Sequence, residues 1–288
     1  MKSSYRVLEA RVAPRDRDLA LGLLYQAGLG TVLTTRTRKE LVLQAQLASG
    51  DRSAPSRLRS AEFAVPRRIF RKLRVRAVAR GAWTDHYQKF LKPFDLLPAA
   101  AGWPALRVDP RDRASRRPKP DILAIKASLA FGTGTHATTQ LAAHYLREAL
   151  KIHDHARVLD MGCGTSILAM TAVRCGAKSV VAVDDDPEAL AISRENLDAN
   201  RIRGVALRAS LPHGRARFDI VVANITAPVL ITLHDELVLR LKTRAHLILS
   251  GLLYRDVPAV LRRYRDLRLL ERKNRRGWSA LLMKRLGA

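Results

Sequence analysis

Cysteine is nearly absent: the chain has two, Cys163 and Cys175, and neither stands in a metal-binding spacing with a second Cys or a His pair. A disulfide framework and a zinc site are therefore not expected. Acidic residues are also scarce, with 26 Asp and Glu against 52 Lys and Arg and a formal net charge of +26. Long apolar runs are missing as well. The longest stretch without Asp, Glu, Lys or Arg, Ala127 to Leu146, is full of Gly, Thr and His and does not read as a membrane span. Met1 to Ala13 carries charges among its apolar residues and lacks the unbroken apolar core of a secretory signal, so a cytoplasmic location is expected.

What is present is an ordinary globular composition, 47% apolar and 27% charged, with enough length for two domains. Its charge is unevenly spread. Residues 1–120 hold 26 basic and 10 acidic side chains (+16), residues 121–200 hold 7 and 10 (−3), and residues 201–288 hold 19 and 6 (+13). Basic flanks around an acidic middle would attract nucleic acid, a ribosome or an acidic protein surface. The plainer reading is a solvated, arginine-rich surface.

Periodicity gives the order βαββαβ over the first 80 residues. Strands are expected at Tyr5 to Val12, Thr31 to Thr37, Glu40 to Leu47 and Lys72 to Ala79, with helices at Arg15 to Ala27 and Ala54 to Val65. That is the pattern of a ferredoxin-like α+β domain, a fold that hosts many functions. A helix at Trp83 to Phe94 and a Pro-, Ala- and Arg-rich loop to Pro120 read as a linker, so domains are expected at 1–81 and 121–288 with residues 82–120 between them. From Asp121 onward strands and helices alternate: strands at Ile122 to Ala127, Arg157 to Met161, Ser179 to Asp184, Val205 to Ala209, Phe218 to Ala223 and His246 to Ser250, with helices from Thr138, through Ala172, at Pro187 to Asn200 and at Pro228 to Leu241. Such alternation predicts an α/β, doubly wound, mostly parallel sheet. The last two strands, Leu267 to Arg272 and Trp278 to Lys284, are too close in sequence for a parallel crossover and should form an antiparallel hairpin.

Three constellations carry chemistry. In Val158 to Ser166 (VLDMGCGTS), with Asp160, Gly162 and Gly164, a buried strand runs into a glycine turn and a helix, where backbone can approach a ligand and helix N–H groups are free. Asp184 follows Gly162 by 22 residues at the end of the next strand, placed to accept hydrogen bonds from both ribose hydroxyls of an adenosine ligand, while Asp186 reads as an N-cap before Pro187. A nicotinamide dehydrogenase would share these features but extends to a third glycine. Ala130 to Thr139 (AFGTGTHATT) reads as a flap over a ligand, with Phe131 in its glycine cluster and Thr133 and Thr139 as polar contacts; His136 reads as structural. Asn224, in Val221 to Pro228, ends a further strand, and its amide can orient an amine nucleophile. Ile225, Thr226 and Ala227 supply no aromatic ring to stack a flipped base, which argues against a nucleic-acid base as acceptor.

On Ala130 to His136 with Thr138 and Thr139, the Asp160 to Gly164 turn with Ile167-Leu168-Ala169 after it, and Val221 to Ile225, the chain resembles the PrmA family, the lysine methyltransferases of large-subunit ribosomal protein eleven. The resemblance spans roughly Trp83 to Ser250. It implies a class I, Rossmann-like, seven-stranded methyltransferase sheet, S-adenosyl-L-methionine as cofactor, and a ribosomal protein partner. By position, Thr139, Gly162, Asp184 and Asn224 match the family's cofactor contacts. The implied reaction is in-line attack of a neutral lysine or N-terminal amine on the sulfonium methyl group, with Asn224 at the reacting centre, no metal, and no general base among the matched residues. Two features depart from the family: Ser166 stands where Gly is usual, and the N-terminal domain is basic where the family's is more acidic. Alternative readings are a ribosomal or transfer RNA methyltransferase, a methyltransferase of the electron-transfer flavoprotein beta subunit, and a cofactor-binding relic acting as an RNA-binding factor. Ribosomal RNA contact through the basic flanks is a further expectation.

Overall fold

The computed structural model describes residues 4–26, 29, 32–37, 39–46, 69–79, 93–100, 102–109, 119–125, 134–211, 214 and 216–287. The chain divides into two compact units, residues 1–91 with 128–131, and residues 92–127 with 132–288.

In the first unit, β1 (Ser4–Val12), α1 (Arg17–Gln26), β2 (Val32–Arg36), β3 (Leu41–Gln46) and β4 (Lys72–Ala79) follow in the expected order. The strands form an antiparallel sheet in the order β2-β3-β1-β4. This is the ferredoxin-like arrangement, with both sequence-distant pairs meeting on β1. Leu8, Ala10 and Val12 alternate inward from β1 onto Ala20, Leu23 and Leu24 of α1, the period-two and period-3.6 faces that the sequence shows. The second helix expected here, Ala54 to Val65, lies outside the described residues.

The second unit opens with β5 (Phe94–Leu97), β6 (Leu106–Asp109) and β7 (Ile122–Ala124) in a small separate sheet. Two expectations are corrected here. Phe94–Leu97 and Leu106–Asp109 are strands, and the strand near Ile122 does not join the main sheet. Leu97, Val108 and Leu123 are instead buried against Leu141 and Tyr145 of α2 (Ala137–Ile152), and Arg147 of that helix donates to the Pro98 carbonyl at 2.6 Å. The expected helix at Trp83 to Phe94 lies outside the described residues up to Lys92, and Phe94 begins β5.

Next come β8 (Arg157–Met161), α3 (Ile167–Arg174), β9 (Ser179–Val183), α4 (Pro187–Ala199), β10 (Val205–Arg208), β11 (Phe218–Asn224), α5 (Ala227–Thr232), α6 (His234–Leu239), β12 (Leu241–Leu253), α7 (Val257–Arg263), β13 (Arg268–Arg275) and β14 (Trp278–Lys284). Seven strands form one sheet in the order β10-β9-β8-β11-β12-β14-β13, parallel except for β14, which runs antiparallel to both neighbours. Both faces of β11 are covered, which is why it reads as a continuous apolar run. Ile220 and Val222 face the core under α2, α3 and α4, and Val221 and Ala223 face the core under α5 and α7. The helix expected over Pro228 to Leu241 is broken at Leu233. There the buried His234 turns inward, its ring against Tyr264 and its Nε2 2.8 Å from Asp266. Among the described residues no helix is long and apolar enough to cross a membrane.

Candidate active site

Strand order reverses between β8 and β11, and in a doubly wound sheet the crevice at such a switch point lies beyond the carboxyl ends of the strands. Register puts the predicted residues there. Met161 pairs with Ala223 on one side and Val183 on the other, so Gly162, Asn224 and Asp184 lie one residue beyond these pairings at the ends of three adjacent strands. Hydrogen bonds then close the loops. Gly162 and Cys163 both donate to the Val183 carbonyl at 2.8 and 2.9 Å, and the Gly164 N–H donates to Asp184 Oδ2 at 2.8 Å. Gly162 has φ +72°, and a Cβ there would collide with Cγ2 of Ile225, so a side chain at the turn is strained and has to displace Ile225.

Asp160 is 1% exposed; its Oδ2 accepts from the Ala169 N–H at 2.9 Å, and its Oδ1 is buried without a partner. Burial pushes its pKa up to about 7, and the charge of Asp184 adds to the rise. Asp184 is half-buried and accepts from two backbone N–H groups, those of Gly164 and Asp186, which leaves further lone pairs on both oxygens. Asp186 caps α4 by accepting from the Glu188 N–H at 2.9 Å. Asn224 is 8% exposed; its Nδ2 donates to Thr139 Oγ1 at 3.4 Å, and its Oδ1 has no partner. Thr139 thus joins Asn224 from the first turn of α2. His136 is the N-cap of that helix, its Nδ1 accepting from the Thr138 N–H and its ring edge-on to Trp278 at 4.6 Å. Phe131 and Thr133 lie outside the described residues.

Three supporting groups escaped the sequence reading. The inner face of α4 and its C-cap carry Ser193, Asn196 and Asn200, all buried, which donate to the carbonyls of Gly164 (2.7 Å), Thr165 (3.1 Å) and Ala124 (2.7 Å). A serine and two asparagines at i, i+3 and i+7 on a buried helix face were the available signal. Ser250 pairs with Asn224 in register and donates to the Thr138 carbonyl at 2.9 Å, tying β12 to the same helix turn. Ile225 roofs Gly162.

Ser166 adopts φ +60°, the left-handed conformation that favours glycine, and its Oγ lies 2.7 Å from Ser193 Oγ. Strain and hydrogen bond offset each other: the conformation costs roughly 1–2 kcal/mol in a non-glycine residue, and the bond returns about 1 kcal/mol. Ser166→Gly should therefore stay within about 1 kcal/mol of the parent, whereas Ser166→Ala, which keeps the strain and loses the bond, should be less stable by about 1 kcal/mol. Denaturant titration of the two variants checks this. A glycine variant more stable by well over that amount would show that the Ser193 link contributes nothing.

A switch-point crevice lined by a glycine turn and two acids, on a parallel sheet whose β14 inserts antiparallel beside β13, defines a class I S-adenosylmethionine-dependent methyltransferase. The chain belongs to the ribosomal protein L11 methyltransferase (PrmA) family, whose model matches residues 32–286. It is 36% identical over 198 residues to the ribosomal protein L11 methyltransferase of Thermotoga neapolitana, covering 68% of this chain and 72% of that one. It is 37% identical over 201 residues to the Thermotoga maritima protein of the same name, with the same coverage. Among solved structures, the ribosomal protein L11 methylase of Lactobacillus delbrueckii subsp. bulgaricus matches with a TM-score of 0.58 and 26% identity, over 69% of this chain and all of that chain.

The residues present fit the family's cofactor. The buried Asp160 Oδ1 lacks a partner, and a side chain at the Gly162 turn would run into Ile225.

Proposed function

We propose that this protein methylates lysine or N-terminal amines of ribosomal protein L11 in the cytoplasm. The observation that carries the acceptor class is the amide of Asn224. Its nitrogen is committed to Thr139, which turns its carbonyl oxygen into the free acceptor, the polarity an amine N–H requires. Ile225, Thr226 and Ala227 still offer no ring for a nucleobase.

S-adenosylmethionine supplies an electrophilic methyl group on a sulfonium when bound. The chain's own residues bind and align. Asp184 accepts from the ribose hydroxyls, and the bare backbone at Gly162 and Gly164 allows close approach. Asp160, buried and short of one hydrogen bond, suits a cationic ligand, which would draw its carboxyl to the ionised form. Thr139 bridges cofactor and amide. Asn224 Oδ1 would accept from the amine N–H and so orient the nucleophile; positioning and exclusion of water would provide the catalysis. The basic N-terminal unit recognises the ribosomal substrate.

Incubation with labelled cofactor and ribosomal extract, followed by protease or ribonuclease, tests the reading. Label should survive ribonuclease, vanish with protease and migrate with L11. Label lost to ribonuclease would make the acceptor RNA.

A further inference from the structure

The arginines of the second unit are not all employed alike. Arg240 and Arg285 are tied to backbone carbonyls, Arg240 at 2.7 Å from Gly214 O and Arg285 at 2.9 Å from Val238 O. The stretch 262–276 differs. It holds eight basic and two acidic side chains. Both acids are already engaged, Asp266 by His234 at 2.8 Å and Glu271 by Lys273 at 3.2 Å. The side chains of Arg262, Arg265 and Arg268 are exposed and have no ion-pair or hydrogen-bond partner among the described residues.

These side chains border β13, the terminal strand of the sheet, of which every residue except Lys273 is exposed. Beside it, Tyr254 is 43% exposed with the Arg272 guanidinium 5.9 Å from its ring centre, and Leu269 and Leu270 are 38% and 41% exposed. Basic side chains on an edge strand also discourage sheet-to-sheet pairing. That accounts for Arg268 and Arg272. It does not account for Arg262 and Arg265, which lie on α7 and the turn after it, or for an exposed aromatic under a guanidinium.

Free guanidiniums at the amino end of β13, with exposed leucines next to them and an exposed ring under Arg272 farther along the same strand, are the chemistry of an extended single-stranded nucleic acid: phosphates take the guanidiniums and unstacked bases take the apolar faces. We propose that the β13 edge, with Arg262, Arg265, Arg268, Arg272 and Tyr254, is a binding surface for single-stranded RNA on the methyltransferase unit itself. The inference goes beyond the choice of methyl acceptor, and RNA binding is read without any methyl transfer.

The test uses the full chain, a short labelled oligouridylate and fluorescence anisotropy across a salt series. The triple variant Arg262→Ala, Arg265→Ala, Arg268→Ala should bind about tenfold or more weakly at low salt, with a log–log salt slope shallower by about 2, three contacts at about 0.7 each. A second triple in the same unit, Lys178→Ala, Arg194→Ala, Arg203→Ala, removes equal charge elsewhere. It should change binding less than about threefold. S-adenosylmethionine affinity and thermal melting show that both variants are folded. Equal losses in the two triples would reduce the effect to net charge and overturn the proposal. So would a parent protein that does not bind the RNA, or one from which polyglutamate displaces the RNA as readily as unlabelled RNA does, since the surface would then be one for acidic polypeptide.

Discussion

Asn224→Ala should lower kcat roughly a hundredfold or more while changing S-adenosylmethionine affinity less than about threefold. The split follows from geometry. Asn224 lies at the end of β11 with one amide atom committed to Thr139 and the other unpaired, so the groove gains from it only when an amine arrives. Removing it leaves Asp160, Asp184, Gly162 and Gly164 untouched, and these are assigned to the cofactor. Stability should not fall with activity. An amide oxygen buried without a partner costs free energy, so its loss should leave the melting temperature unchanged or slightly higher. Turnover kinetics, calorimetric titration with cofactor and a melting curve on one preparation give all three quantities. Equal losses in kcat and cofactor affinity would make Asn224 a cofactor contact alone, and a large drop in melting temperature would make it structural.

The sequence is most legible where one residue type has one physical use. Asp186 before Pro187 reads as a helix start, and its side chain does cap the Glu188 N–H. The C-terminal strands are too close in sequence to pair other than antiparallel, and they do. Asp160, Gly162, Gly164, Thr139, Asp184 and Asn224 fall together because each sits at a strand end or a helix start, positions that apolar runs and turn residues mark.

What escapes is set by partners distant in the chain. β5 and β6 have four residues each, among Pro93, Pro98 and Pro104, too short for a period to register; burial against α2 makes them strands. β12 runs from Leu241 to Leu253, well beyond the expected His246 to Ser250, although Arg244 within it has φ +63°. Its first residue is held by Phe218 of β11, a pairing that skips to Ile220–His246 across an irregularity. Ser193 taken singly is hidden for the same reason: a helix serine that fastens a glycine turn 29 residues away looks like one that faces water, and only its spacing with Asn196 and Asn200 marks it.

Gly251→Ala should be the most damaging single-methyl change in the second unit, costing roughly 3 kcal/mol or more and reducing activity with it. Gly251 has φ +85°, and a Cβ there would be driven onto the Ile225 backbone, against its carbonyl oxygen, 2.9 Å from its carbonyl carbon and 3.1 Å from its nitrogen. A flexible side chain could swing away from such a methyl; a peptide group between Asn224 and α5 cannot. Relief therefore requires moving the loop that carries Asn224 and roofs Gly162, so the clash reaches the candidate site directly. Gly176 separates the two contributions. It has nearly the same φ, +84°, but nothing lies within 4 Å of its would-be Cβ, so Gly176→Ala carries only the backbone strain, about 1–2 kcal/mol. The difference between the two variants in denaturant-derived stability measures the steric cost at Ile225. A difference below about 1 kcal/mol would mean that the loop yields, and that the close approach of β12 to Ile225 is not what holds Asn224 in place.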